Sequence, residues 1–201
     1  SLQLTILSLL FAIIIGMISC FFQISKWKPL NWIATIYLSI IRGTPLMVQA
    51  YFLYFGITSA MGIKIDSFWA SVIVLTLNAG AYLSEIFRSG ISAVNKGQME
   101  AARSLGLPYH VAMGKVIIPQ AIRIVIPSVV NQFIITLKDT SILSVIGVGE
   151  LMRQGTLIVS RTFKGFEVYA MVAIAYFIVV MVLTKISQII ERRLSSGKSK
   201  G

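Results

Sequence analysis

The residues able to do chemistry are few, and they sit in unusual places. Of seven acids, Glu85 lies three residues before Arg88 inside an apolar run, Asp139 follows Lys138 at the end of another, and Glu150 comes shortly after. An ionisable group at membrane depth is costly and usually faces a cavity or a partner. Asn131, Ile135 and Lys138 are spaced for one face of a helix, and Gln132, Thr136 and Asp139 for the adjacent one. A helix carrying such a stripe through hydrocarbon should turn it inward, so this stretch is expected to line a path. Asp139 and Glu150 are then the best groups to hold an ammonium, with Asn131, Gln132 and Lys138 beside them. Each also has a plainer reading. Asp139 can pair with Lys138 or Arg153, Glu150 can cap a helix or serve as a gate, and Asn131 can hydrogen-bond across helices. Glu85 and Arg88, one turn apart, read first as an ion pair.

Other chemistries lack their residues. One cysteine, Cys20, leaves no intramolecular disulfide, and one histidine, His110, leaves no His-His metal pair. No metal site is expected. A phosphate-binding loop needs G-x-x-x-x-G-K-[ST]. At Gly114-Lys115 the next residue is Val116 and the first glycine position holds Tyr109; at Gly197-Lys198 that position holds Arg192. The chain therefore carries no ATP site of its own by this criterion.

The elements that must position these groups are apolar. Hydrophobic residues make up 56% of the 201 and charged residues 12%, about half the ~25% of a soluble domain. Long apolar runs cover Leu2 to Gln23, Asn31 to about Met61, Phe68 to Phe87, Ile122 to Leu137 with a weakly polar extension to Val148, and Tyr169 to about Leu183. At about 20 residues per spanning helix, the expectation is an all-α polytopic membrane protein with about five transmembrane helices in one domain, residues 1–201. The first run lacks a basic lead-in and does not read as a signal peptide.

Charge placement orients the spans. The 18 Lys and Arg against 7 acids give net +11. Twelve of the basic residues fall on one side, in the loop after the first run, the 88–123 segment and the C-terminal cluster from Lys185 to Lys200. Five fall on the other: Lys64, Lys138, Arg153, Arg161 and Lys164. Arg42 stays inside a span. Cytoplasmic loops carry the excess, so the N-terminus is expected outside and the C-terminus inside. Sorting of this kind reads as membrane topology, not as a nucleic-acid surface. Trp27, Trp32 and Trp69 suit interfacial anchors.

The longest polar stretch, about 89–122, is cytoplasmic in this topology. Asn95 with Gln98 resembles a capping box and starts a helix at Lys96. Arg103 falls in its last turn, Gly106 suits the left-handed position after it, and Pro108 prevents continuation. Pro108 opens a second short helix at its first position, which is expected to stop near Pro119 because proline disfavours the helical conformation at Ile118. Two short helices at a Gly-x-Pro corner make a knob. Its plainest reading is an ordinary solvated loop.

Glu100-Ala101-Ala102-Arg103-Ser104-Leu105-Gly106, followed by Val116-Ile117-Ile118-Pro119, resembles the EAA loop of the membrane subunits of bacterial ABC importers. Arg42-Gly43-Thr44-Pro45-Leu46-Met47-Val48-Gln49, Lys138-Asp139-Thr140-Ser141 and Gly147-Val148-Gly149-Glu150-Leu151 narrow the likeness to the polar amino acid permeases of that group. The resemblance implies a permease subunit in the bacterial inner membrane, moving a polar amino acid by alternating access. It implies as partners ATPase subunits that carry the ATP and Mg, a second permease subunit, identical or related, and an external solute-binding protein. The knob becomes the coupling segment, with Glu100, Ala101, Ala102, Arg103, Gly106 and Pro119 in it. The small Ala101 and Ala102 would let the ATPase approach closely. Doubling of Asp139 and Glu150 in a pair of subunits would favour a cationic substrate.

Gly43 and Pro45 break the second run. Pro45 removes a backbone hydrogen bond and Gly43 permits close helix approach, giving a kink that is either a hinge or a packing feature, with Arg42 directed to the cytoplasmic interface. The competing class is a secondary transporter or channel subunit. It predicts matched internal repeats, and no second copy of Arg-Gly-Thr-Pro or of the EAA segment occurs.

Overall fold

Apolar length decides which segments span. The structure is a computed structural model that describes residues 1–196, with side chains described through Arg192. Its helices are α1 (Leu2–Ile24), α2 (Lys28–Gly43), α3 (Leu46–Met61), α4 (Ser67–Ala93), α5 (Lys96–Ser104), α6 (Tyr109–Ile146), α7 (Leu151–Thr162) and α8 (Gly165–Ser196), with no strand among the described residues. Four helices, α1, α4, α6 and α8, are each long and apolar enough to cross a bilayer; the bent pair α2–α3 makes the fifth. The all-helical, polytopic expectation holds. Lys198 and Lys200 lie outside the described residues.

Lipid is as apolar as these side chains, so close packing and small residues, rather than escape from water, hold the helices together. The parallel helices α1 and α4 touch at Gly16, where a Cβ would come within 2.9 Å of the Leu83 Cβ. The α4 and α6 helices run antiparallel and meet at Gly90, where a Cβ would lie 2.0 Å from a Val125 methyl. Leu9, Ala12, Ala79 and Leu83 form the middle of the core, covered by Val129 and Phe133 of α6. Outward, α1 presents Ile6, Leu10 and Phe21, and α8 presents Ile174 and Phe177, as lipid-facing helices should.

Four local features depart from expectation. The second run does not kink but turns through 108°: α2 stops at Gly43, and Pro45 precedes α3 in an extended conformation. Nothing lies within 4 Å of a Cβ at Gly43, so that glycine serves no close approach. Pro119 does not stop a helix. Met113–Ile117 forms a wide π turn, and Ile118 stays helical at φ −58°, ψ −44°. The widened turn shifts the carbonyl that the proline ring would meet, so the second knob helix runs straight on into the spanning helix. Pro108 sits just before Tyr109 rather than as the first helical residue. Finally, the 12-residue helix α7, absent from the apolar pattern, fills the segment after Glu150.

Candidate functional site

The site is built on α6. Ser128, Asn131, Ile135 and Lys138 are all exposed, at the i, i+3, i+4 spacing of one face. The adjacent face turns the other way: Gln132 and Thr136 are buried at 4% and 1% exposure, with Gln132 Nε2 3.4 Å from Thr136 Oγ1. Gln132 thus packs inside the subunit, while Asn131 and Lys138 face out of it. Asp139 is half-buried at the start of the 3₁₀ segment Thr140–Ile146. Its carboxylate makes no hydrogen bond or ion pair among the described residues, neither with Lys138 nor with Arg153. A carboxylate without a partner beside an outward polar face is the arrangement a cationic ligand would need.

Glu150 is different. It is 2% exposed and caps α7, accepting from the backbone N–H groups of Met152 (2.9 Å) and Arg153. The Tyr176 hydroxyl donates to its Oε2 at 3.0 Å, which ties α7 to α8. Both oxygens are used, and the helix dipole supplies the counter-field. The cap reading is the one realised, and three of the carboxylate's four acceptor positions are taken up within the chain. Glu150 positions α7.

A second polar group surrounds the break in the α2–α3 pair. Glu85 accepts two hydrogen bonds from Arg88, Nε to Oε1 at 3.2 Å and Nη2 to Oε2 at 3.0 Å. Arg42 Nη1 lies 3.4 Å from the same Oε2, with its guanidinium 5.9 Å from the Tyr82 ring centroid. Arg42 therefore turns to α4 rather than simply to the interface, because a cation at this depth finds its carboxylate. Gln49 closes the break. Its Nε2 donates to the Ile41 carbonyl at 2.7 Å and the Thr44 carbonyl at 3.0 Å, and its Oε1 accepts from Asn78 Nδ2 at 3.2 Å. Those carbonyls at the end of α2 are orphans that a helix end must satisfy. So tied, Gly43 and Pro45 form a hydrogen-bonded corner. Gln49 entered the sequence reading only as the end of the Arg42–Gln49 segment and Asn78 not at all, although an amide within an apolar run is the signal that could have marked them.

The knob follows its punctuation closely. The Asn95 side chain accepts from Gly97 N at 2.8 Å. Gln98 does not complete the box; its side chain meets Gln120 at 3.4 Å. Gly106 adopts φ +82°, with Leu107 N donating to the Ala102 carbonyl and Gly106 N to that of Arg103, the hydrogen-bonded end that a left-handed glycine permits. The Arg103 guanidinium donates to the Leu107 carbonyl at 3.1 Å and so fixes the corner. Ala102 is buried at 5% exposure and faces its own chain, not a partner. Glu100, Ala101 and Pro119 are exposed. The apolar groups offered outward are Leu105, 83% exposed, and Tyr109, 59% exposed; the sequence reading assigned neither. His110 is exposed.

Known proteins share this arrangement over nearly the whole chain. Residues 8–196 match the family described as binding-protein-dependent transport system inner membrane component. The arginine transport system permease protein ArtQ of Bacillus subtilis is 39% identical over 197 residues, covering 98% of this chain and 90% of that protein. The L-cystine transport system permease protein TcyB of the same organism is 40% identical over 201 residues, 100% of this chain and 86% of that one. A crystal structure of an amino acid ABC transporter with histidines superposes at a TM-score of 0.92 with 42% identity, covering 96% of this chain and 89% of its counterpart. This chain accordingly belongs to the binding-protein-dependent transport system inner membrane components, as a multi-pass permease subunit that leaves ATP hydrolysis to a separate subunit.

Proposed function

We propose that this subunit carries a polar amino acid with a cationic side chain inward across the bacterial inner membrane. It acts beside a second permease subunit, identical or related, on two ATPase subunits, and an external binding protein delivers the substrate. The N-terminus lies outside and the C-terminus inside, a topology supported by the sorting of Lys and Arg. The observation that carries the substrate reading is the unpaired Asp139 next to the outward polar face of α6. In a pair of subunits that face borders the path, and two copies of Asp139 attract the cation. Lys138 offers a counter-charge for the substrate carboxylate, and Asn131 a hydrogen-bonding group about two turns away. The knob seats Leu105 and Tyr109 in the ATPase, and Gly106 with Arg103 holds the corner rigid enough to transmit its motion. Alternate rocking of the two halves then opens the path to each side in turn.

The test is ATP-driven uptake into vesicles holding the complete transporter and its binding protein, with L-arginine, L-glutamine and L-cystine as substrates. L-Arginine is expected to be taken up best. A charge-assisted hydrogen bond is worth ~1.5–3 kcal/mol, so Asp139→Asn should lower arginine uptake by about 10- to 100-fold while the ATPase still co-purifies. Unchanged arginine uptake in that variant sinks the cation site.

A further inference from the structure

A groove of about 330 Å³ runs between α1, the end of α4 and the first half of α6. Its walls include Ile13, Met17 and Phe21 of α1, Phe87 of α4, and Ile122 and Val125 of α6, and no charged side chain lines it. Met17, Phe21 and Ile122 are exposed along its rims. The α6 wall extends from Ile118 to Val130, about 18 Å at ~1.5 Å per residue. That is close to the depth of one leaflet, half of a ~30 Å hydrocarbon core.

Basic residues follow closely in the chain on the lining segments at one end of the groove. Lys115 is exposed in the wide turn that leads into Ile118, and Lys26 and Lys28 follow the end of α1. None of these three side chains has a hydrogen bond or ion pair among the described residues. The nearest acid in α4, Glu85, is already held by Arg42 and Arg88. An apolar slot one leaflet deep with unpaired cations at its mouth matches an anionic phospholipid in both halves.

We infer that this groove binds one acyl chain of an anionic phospholipid, with the lipid phosphate held at Lys115, Lys26 and Lys28. The inference rests on the reading above that the knob faces the ATPase, which puts the basic end in the cytoplasmic leaflet. The site also touches the knob. Ile91 and Ala121 line the groove and pack with Val94, Ile117 and Met99, the cluster that anchors α5. A chain in the groove braces that cluster, so bound lipid should raise coupled transport rather than substrate affinity.

The experiment compares the assembled transporter in vesicles of phosphatidylcholine alone and of phosphatidylcholine with phosphatidylglycerol in equal parts, with soluble glycerol phosphate as a third arm. Uptake per transporter should be higher in the mixed vesicles, and phosphatidylglycerol should stay bound in native mass spectra. Lys115→Gln should reduce the retained lipid by about fivefold, the factor expected for one basic residue at an anionic surface. Ile122→Trp, which fills the exposed rim, should abolish both retention and stimulation. Equal uptake in the two vesicle types with no retained lipid overturns the inference. So does stimulation by glycerol phosphate alone, which marks a free-anion site, or cross-linking of Ile122→Cys to the second permease subunit, which marks a protein-covered face. Failure of the ATPase to assemble refutes the functional reading instead; assembly with lipid-insensitive transport refutes only the lipid site.

Discussion

Two polar regions lie inside the membrane-spanning part of this subunit, and they handle charge in opposite ways. Around the break between α2 and α3 every strong group finds a partner within the chain: Glu85 holds two arginines, and Gln49 holds two carbonyls and Asn78. On α6, the side chains of Asn131, Lys138 and Asp139 make no hydrogen bond or ion pair among the described residues. Burying a charge is costly in both places. The first region meets that cost by internal pairing and so becomes structure. The second leaves its groups open to something outside the subunit, which is why the proposed substrate path is placed there.

The largest expected effect is at the knob. Leu105→Asp puts a charge on its most outward apolar group, and losing such an anchor costs ~2 kcal/mol or more. The ATPase should then be lost on purification while the permease keeps its Tm; full co-purification would remove Leu105 from the interface. The sharpest way to break the contrast is to unpair the first region. Glu85→Gln leaves two guanidinium groups without a carboxylate, but both arginines are 44% exposed and Glu85 24%, so the loss should be no more than ~1 kcal/mol. Thermal unfolding of the purified subunit complex would show the lowered Tm, and an unchanged Tm would mean the trio is ornamental. Glu150→Ala removes a helix cap worth ~1 kcal/mol. It should lower Tm modestly and leave the apparent affinity for substrate unaltered, whereas a large affinity change would return Glu150 to the substrate path. The smallest structural effect belongs to Asp139→Asn. With no partner to lose, its stability should stay within about 0.5 kcal/mol of the parent, in contrast to its loss of uptake.

What could be read from the chain follows the range of the forces involved. α1, α4 and α8 were legible because an apolar run of spanning length leaves little choice. The knob was legible too, since Asn95, Gly106 and Pro108 act within a turn of themselves. The 108° corner was only half legible. Pro45 announces a break, but its angle depends on Gln49 reaching back to Ile41 and across to Asn78, and those contacts are not local. Pro119 misled because one widened turn, Met113–Ile117, relieves the clash on which the stop rule depends. α7 was missed because its amphipathic 12 residues carry no long apolar run. At the site, periodicity separated the Asn131 face of α6 from the Gln132 face, and only packing against α4 decided that Gln132 turns inward. The two readings of Glu150 were separated by Tyr176, 26 residues away.

In the proposed function, the outward polar face of α6 borders a water-filled path. Thiol accessibility in the assembled transporter tests it most directly. With Cys20 replaced by serine, Asn131→Cys and Ile174→Cys are each exposed to a charged, membrane-impermeant thiol reagent. Asn131→Cys should be modified and should be protected by L-arginine, while Ile174→Cys, facing lipid, should not react. An unreactive Asn131→Cys, or one modified equally with and without substrate, would contradict it.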